Sequence, residues 1–244
     1  MNWKTLLCSL LITTTGWASE FADANALYHG SRFAEAATVY EKIEPKAAAV
    51  YFNLGNSYYR QEKLGLALLN YERARRLAPR DPDIQANLRF AEQRLGVAES
   101  NAAQKPVQRF LRDAAFSRSL GEWNAYEVTG LWTLVLFVAA AVWWSRLRTG
   151  FVILSVAAGL WWAGASVGLA YRVMTERNAP VAIVLVGKTE ARFAPQADGT
   201  VHFQLPEGSK VCVREDRGAW WFVERGDGQQ GWVMASALAC VQPR

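Results

Sequence analysis

The chain has 244 residues, of which 51% are hydrophobic, 12% aromatic and 20% charged, with 27 basic against 22 acidic residues and a net charge of +5. That composition excludes a chain disordered throughout, and a mean hydropathy near zero, averaged over unlike segments, excludes a polytopic transporter. The basic surplus is scattered rather than gathered on one folded segment, which argues against nucleic-acid binding, and two His and three Cys are too few for most metal or thiol chemistry.

Residues 1–18 have the layout of a secretory signal peptide. Lys4 precedes an uncharged, mostly apolar stretch, and Gly16 and Ala18 supply small residues before a cut after Ala18. The stretch is too short to cross a ~30 Å bilayer core as a helix. An uncleaved anchor is the alternative. Export places the chain beyond Ala18 in an oxidising compartment.

A repeat comes next. Residues 25–43 and 56–74 share Asn, Tyr, Ala, Tyr and Glu at matching positions, 31 residues apart. In the second copy, Tyr51, Leu54, Gly55, Tyr58, Ala67, Tyr71, Ala74 and Pro79 follow a spacing that resembles the tetratricopeptide repeat. Gly55 and Ala67 are small where two antiparallel helices approach, the tyrosines fill the space between them, and Pro79 ends the second helix. The first copy lacks the Leu-Gly pair. Asn87-Leu88 lies 34 residues after Asn53-Leu54, so 83–95 reads as a third A-type helix, N-capped by Asp81 and opened by Pro82. Residues 19–96 are therefore expected to form a tetratricopeptide repeat domain with a capping helix. On that layout the A helices line a concave face, and Asn25, Tyr28, Asn53, Asn56, Tyr59 and Arg60 are its candidate peptide-binding residues. An Asn amide offers donor and acceptor to an extended peptide, and Arg60 suits a carboxylate. The competing reading is that these Asn residues fix repeat geometry. The cluster Arg73, Arg75, Arg76 and Arg80 reads as a solvated helix end.

Residues 97–125 form a linker, in which Phe110, Leu111, Ala114, Ala115 and Phe116 are interspersed with Arg109, Arg112, Asp113 and Arg118. Either an amphipathic helix on a membrane surface or a plain tether fits that pattern. Two uncharged runs come after it, 128–144 and 150–171, each within the ~17–25 residues a spanning helix needs. They predict transmembrane helices over 126–145 and 150–171, joined by a short cytoplasmic loop, 146–149, that contains Arg146 and Arg148. With an exported N-terminal domain the path is out–in–out, with both folded domains extracytoplasmic. Gly164 and Gly168 form a weak GxxxG step.

From Val181 the pattern turns to short strands: 181–186, 211–213, 220–223, 231–234 and 239–241, with a long loop over 191–208 and a hairpin turn at Gly226-Asp227-Gly228. The runs Gly208-Ser209-Lys210-Val211, Trp220-Trp221-Phe222-Val223 and Gly231-Trp232-Val233 before Ser236-Ala237-Leu238 resemble a bacterial SH3 domain over 179–244. Trp220 and Trp221 must point to opposite strand faces. One belongs to the core; the other, with Trp232, is a candidate ligand groove, against the reading that all three are core. Cys212 and Cys240 either pair as a disulfide or are two buried thiols.

No catalytic constellation, cofactor motif or metal-ligand spacing stands out, and neither His29 nor His202 has a nucleophile nearby, so a non-enzyme is expected. The fold class is multidomain: an all-α tetratricopeptide repeat, a two-helix transmembrane hairpin and an all-β SH3-like small barrel. That order, with the run from Phe52 to Arg60, then Asn70-Tyr71-Glu72-Arg73-Ala74, Asp81-Pro82-Asp83 and Asn87-Leu88, resembles the BatE family of the bacterial aerotolerance operon. The resemblance implies an envelope scaffold, without cofactors, acting beside von Willebrand-type domain membrane proteins and a MoxR-type ATPase. A cell-wall (peptidoglycan) anchor, with the repeats as spacer, is the alternative.

Overall fold

The structure, a computed structural model, describes residues 19–97, 106–178 and 180–242. The expected signal peptide, 1–18, lies outside the described residues. The described chain forms two compact units, one from the N- and C-terminal segments together and one from the segment between them.

The first unit opens with α1 (19–29), α2 (Phe33–Lys42), α3 (Ala48–Arg60), α4 (Leu64–Leu77) and α5 (Pro82–Leu95). These are two helix pairs and a closing helix, as the repeat pattern requires. Gly55 is obligatory at the α3–α4 crossing: a Cβ there would sit 2.7 Å from the Tyr71 ring and 3.3 Å from the Ala67 carbonyl. The Asp81 carboxylate accepts from the amides of Asp83 and Ile84, Pro82 occupies the first turn, and Gly96 ends α5 in the left-handed conformation.

The C-terminal segment forms one antiparallel sheet of seven strands: β1 (Val181–Val184), β2 (Thr189–Arg192), β3 (Val201–Leu205), β4 (Lys210–Arg217), β5 (Trp220–Arg225), β6 (Gln230–Met234) and β7 (Leu238–Cys240), in the order β3-β2-β6-β5-β4-β1-β7. A single 3₁₀ turn, Ala235–Ala237, precedes β7. The loop expected over 191–208 is instead largely a hairpin, β2–β3, registered Thr189 opposite Leu205 and Ala191 opposite Phe203. Pro195 and Asp198-Gly199 mark only its turn, and Ala191 and Leu205 bury themselves in the sheet core.

The helical repeats and the sheet share a core. Successive residues of β1 face opposite ways. Ala182 and Val184 join the sheet's own cluster, while the fully buried Ile183 joins the repeat cluster with Val241, flanked by Val181, Leu185 and Ala239. Polar contacts frame this apolar patch. Lys210 Nζ lies 2.7 Å from Glu72 Oε1 and 2.6 Å from Glu92 Oε1. Arg73 donates to the Cys240 carbonyl at 2.9 Å; it is part of this interface, not of a solvated helix end. Glu207 Oε1 accepts from the Gly65 amide at 2.6 Å, capping α4, which has no side-chain cap of its own.

Of the two states open to Cys212 and Cys240, the structure has no disulfide between them. Cys212 on β4 is registered opposite Val181, and Cys240 on β7 opposite Ala182. The two strands flank β1, and adjacent β1 residues face opposite sides, so the two sulfurs lie on opposite faces of the sheet.

The second unit contains α6 (Pro106–Phe116), α7 (Leu120–Trp143), a 3₁₀ turn (Ser145–Leu147) and α8 (Arg148–Asn178). The linker is therefore part helix. α7 starts ahead of the expected span because Ser119 and Glu122 form a capping box. Both long helices are long and apolar enough to cross a membrane. They pack on each other: Gly130 of α7 sits under Trp161 and Trp162, and Gly168 of α8 receives the Trp123 ring, where a Cβ would come within 2.4 Å. A Cβ at Gly164 would meet nothing within 4 Å, so the two glycines do not act as one step.

Candidate functional site

The repeat geometry rests on a recurring side-chain unit. Asn25 Oδ1 accepts from the Tyr40 hydroxyl at 2.5 Å and from Asn53 Nδ2 at 3.0 Å. Asn56 Oδ1 accepts from the Tyr71 hydroxyl and from Asn87 Nδ2, both at 2.8 Å. Each unit joins an A helix, its own B helix and the next A helix through one amide oxygen. This is why Asn and Tyr recur at matching positions of the two repeats. Burial pushes the Tyr40 phenol up to about 12 and raises that of Tyr71 as well, so both hydroxyls are donors at neutral pH.

In the second repeat the unit forms the floor of a cavity of about 170 Å³, lined by Tyr28 of α1, Asn56, Tyr59 and Arg60 of α3, Tyr71 of α4, and Asn87 and Phe90 of α5. With both Asn56 Oδ1 bonds directed at Tyr71 and Asn87, what Asn56 can offer a ligand is its NH₂ group. The rim is aromatic and cationic. The Arg60 guanidinium lies 4.6 Å over the Phe33 ring and that of Arg94 5.6 Å from the Tyr59 ring, while Phe90 is 60% exposed. Of the six candidate residues, Tyr28, Asn56, Tyr59 and Arg60 line this cavity; Asn25 and Asn53 do not, being engaged in the first unit. The sequence reading missed Tyr71 and Phe90 as cavity residues. Asn87 was visible as the 34-residue counterpart of Asn53, and the signal for Phe90 is an aromatic one turn further along α5.

The sheet carries a second aromatic face. Trp221 is registered opposite Val233 and packs on the sheet core, whereas Trp220 is opposite Met234 and Phe222 opposite Trp232. Trp220 and Trp232 thus share the outer face with Phe222, which the sequence reading had not singled out. Trp232 is only 7% exposed, covered by the Phe222 ring at 5.1 Å and the Arg217 guanidinium at 4.7 Å. Trp221 is not part of that face.

Residues 48–81 match the family model of the tetratricopeptide repeat. They comprise α3, α4 and the turn up to the Asp81 cap. No curated protein and no solved structure matches the chain.

Proposed function

We propose that the protein is a non-enzymatic, membrane-anchored adaptor that binds a protein partner's extended segment in the cavity between α1, α3 and α5. The observation that carries this is a concave site in which a fixed amide floor, Asn56 with Asn87, is bordered by aromatic rings and Arg60. Such a floor suits main-chain amides, and Arg60 suits an acidic group of the partner. The tetratricopeptide match over 48–81 supports protein interaction as the role of the repeats.

The anchor in this reading is the pair α7 and α8, crossing the bilayer out and back. The core shared by repeats and sheet supports an even number of crossings, because two halves of one core occupy one side of a membrane. The signal-like residues 1–18 favour the extracytoplasmic side of a bacterial inner membrane. The order of segments resembles BatE-type proteins; on that resemblance the partners are von Willebrand-type domain membrane proteins working with a MoxR-type ATPase, in aerotolerance or envelope stress. A second reading, an SH3-like module holding a cell-wall peptide, is favoured by the outer face with Trp220, Phe222 and Trp232.

The test is affinity capture from detergent-solubilised membranes with the full chain. Tyr59→Ala with Arg60→Glu is expected to lose the proteins that wild type and Trp220→Ala both retain. An unchanged set with the repeat variant sinks the repeat reading, and loss of wall-fragment binding with Trp220→Ala alone supports the second.

A further inference from the structure

We propose that α6 is seated in the surface of the phospholipid bilayer, with Phe110 and Ala114 toward the acyl chains. The inference rests on the membrane-anchored reading and adds a lipid contact to it.

The rotation of α6 is locked from one side. Ala115 is buried, and its carbonyl accepts from Trp123 Nε1 at 2.9 Å. The Phe116 ring lies 5.1 Å beneath the Arg172 guanidinium, which is itself buried in α8 and bridged to Glu176 at 3.2 Å. Gly168 opens the space that the Trp123 ring occupies between α7 and α8. With Ala115 and Phe116 turned inward, helical geometry turns positions 110 and 114 away from the protein. Phe110 is accordingly 70% exposed, and Ala114 is exposed beside it.

Two observations name the occupant. Trp123, in the first turn of α7, sits where a spanning helix meets the headgroups, the level an indole ring prefers. Its hydrogen-bond partner Ala115 holds α6 at that same level. The apolar surface then continues along α7 through Val128, Leu131, Val135 and Leu136, all exposed and all lipid-facing if α7 spans. α6 packs on α8 and is tied through Trp123 to the end of α7 where that surface begins, with its open side turned away from the protein, so the solvent of α7 reaches it. A short helix with an apolar stripe and a charged residue beside it, here Asp113, is the form taken by helices lying in the interface.

The experiment uses the full chain in vesicles of equal parts phosphatidylcholine and phosphatidylglycerol. A dansyl amino acid replaces Phe110 in one variant and Asp113 in another. At 110 we expect blue-shifted emission, quenched by spin-labelled lipid and not by iodide; at 113 iodide quenches more strongly. If the protein withstands an alkaline carbonate wash but iodide quenches 110 as well as 113, α6 is in water and the proposal fails while the anchor stands. If neither quencher reaches 110, protein covers it and the proposal fails. If carbonate extracts the chain, the anchor itself is wrong.

Discussion

Ile183→Ala tests whether repeats and sheet are one thermodynamic unit. Ile183 lies in the sheet's β1, yet it is fully buried in the repeat cluster, where Val181, Leu185 and Ala239 flank it. Truncating a buried Ile costs about 2–5 kcal/mol, the upper half of that range where the hole cannot collapse. Here the strand is held on both sides, by β4 and by β7, and the ion cluster around Lys210 adjoins the site, so about 3 kcal/mol is expected. At about 1.4 kcal/mol per decade that is roughly a hundredfold loss of amide protection. Hydrogen exchange on the full chain in micelles reads it peptide by peptide. Amides of α3 and α4 are expected to lose protection together with those of β4 and β5. Val186→Ala, at an exposed position just beyond β1, changes stability by less than about 0.5 kcal/mol. Faster exchange in the sheet with α4 unaffected would show two independent modules and refute the shared core.

Acid should weaken the same interface. Burial alone would raise the Glu72 carboxyl, but the charges of Lys210 and Arg75 overcome it and hold it at about 2, against an ordinary 4.5. A depressed carboxylate contributes stability that is fully present above pH 4.5 and lost as pH falls toward 2, at most about 3 kcal/mol. Denaturant titrations should show that loss in wild type and a flatter profile in Glu72→Gln. Glu207→Ala removes the cap at Gly65 and should cost about 1 kcal/mol, read as earlier thermal melting of helical signal. Gly168→Ala forces the Trp123 ring away from Ala115 and should cost about 1–3 kcal/mol with faster exchange in α6, whereas Gly164→Ala is silent. Tyr71→Phe takes one of two donors from Asn56 and should cost about 1 kcal/mol of stability, with no such effect from Tyr59→Phe.

What was legible in the sequence is what local chemistry punctuates. The Leu54-Gly55 pair and the Asp81-Pro82 start of α5 announce themselves in adjacent residues, and each uncharged run within one helix length. The β2–β3 hairpin was hidden because its strands are short and its turn carries Pro195 and Asp198-Gly199, the marks of any loop. The docking of sheet on repeats was written more faintly. Residues 181–186 are apolar without alternation, the signature of a strand buried on both faces. In a sheet expected to stand alone, one face of β1 should have been polar. The cavity was half legible. Repeat spacing located Asn56, Tyr59 and Arg60, but the donors to Asn25 and Asn56 come from other helices, and periodicity within one helix does not choose between a side chain that meets a ligand and one that meets the next repeat.

The shared core also changes what the segment carrying the two apolar helices is. The chain leaves the first unit at Val97 and returns at Val181, and both valines pack on the same cluster. Everything between them is an insertion into one folded unit rather than a tether between two. Long insertions at adjacent points are cheap, since each doubling of loop length adds only about 0.6 kcal/mol of closure entropy. The cost lies in order of synthesis instead. α4 is complete early, but the carboxylate that caps it, Glu207, the second cation on Glu72 after Arg75, Lys210, and the side chain that closes its cluster, Ile183, all lie beyond the two apolar helices in sequence. The repeats therefore reach their final stability only after both apolar helices have been made and the chain has returned to the unit it left.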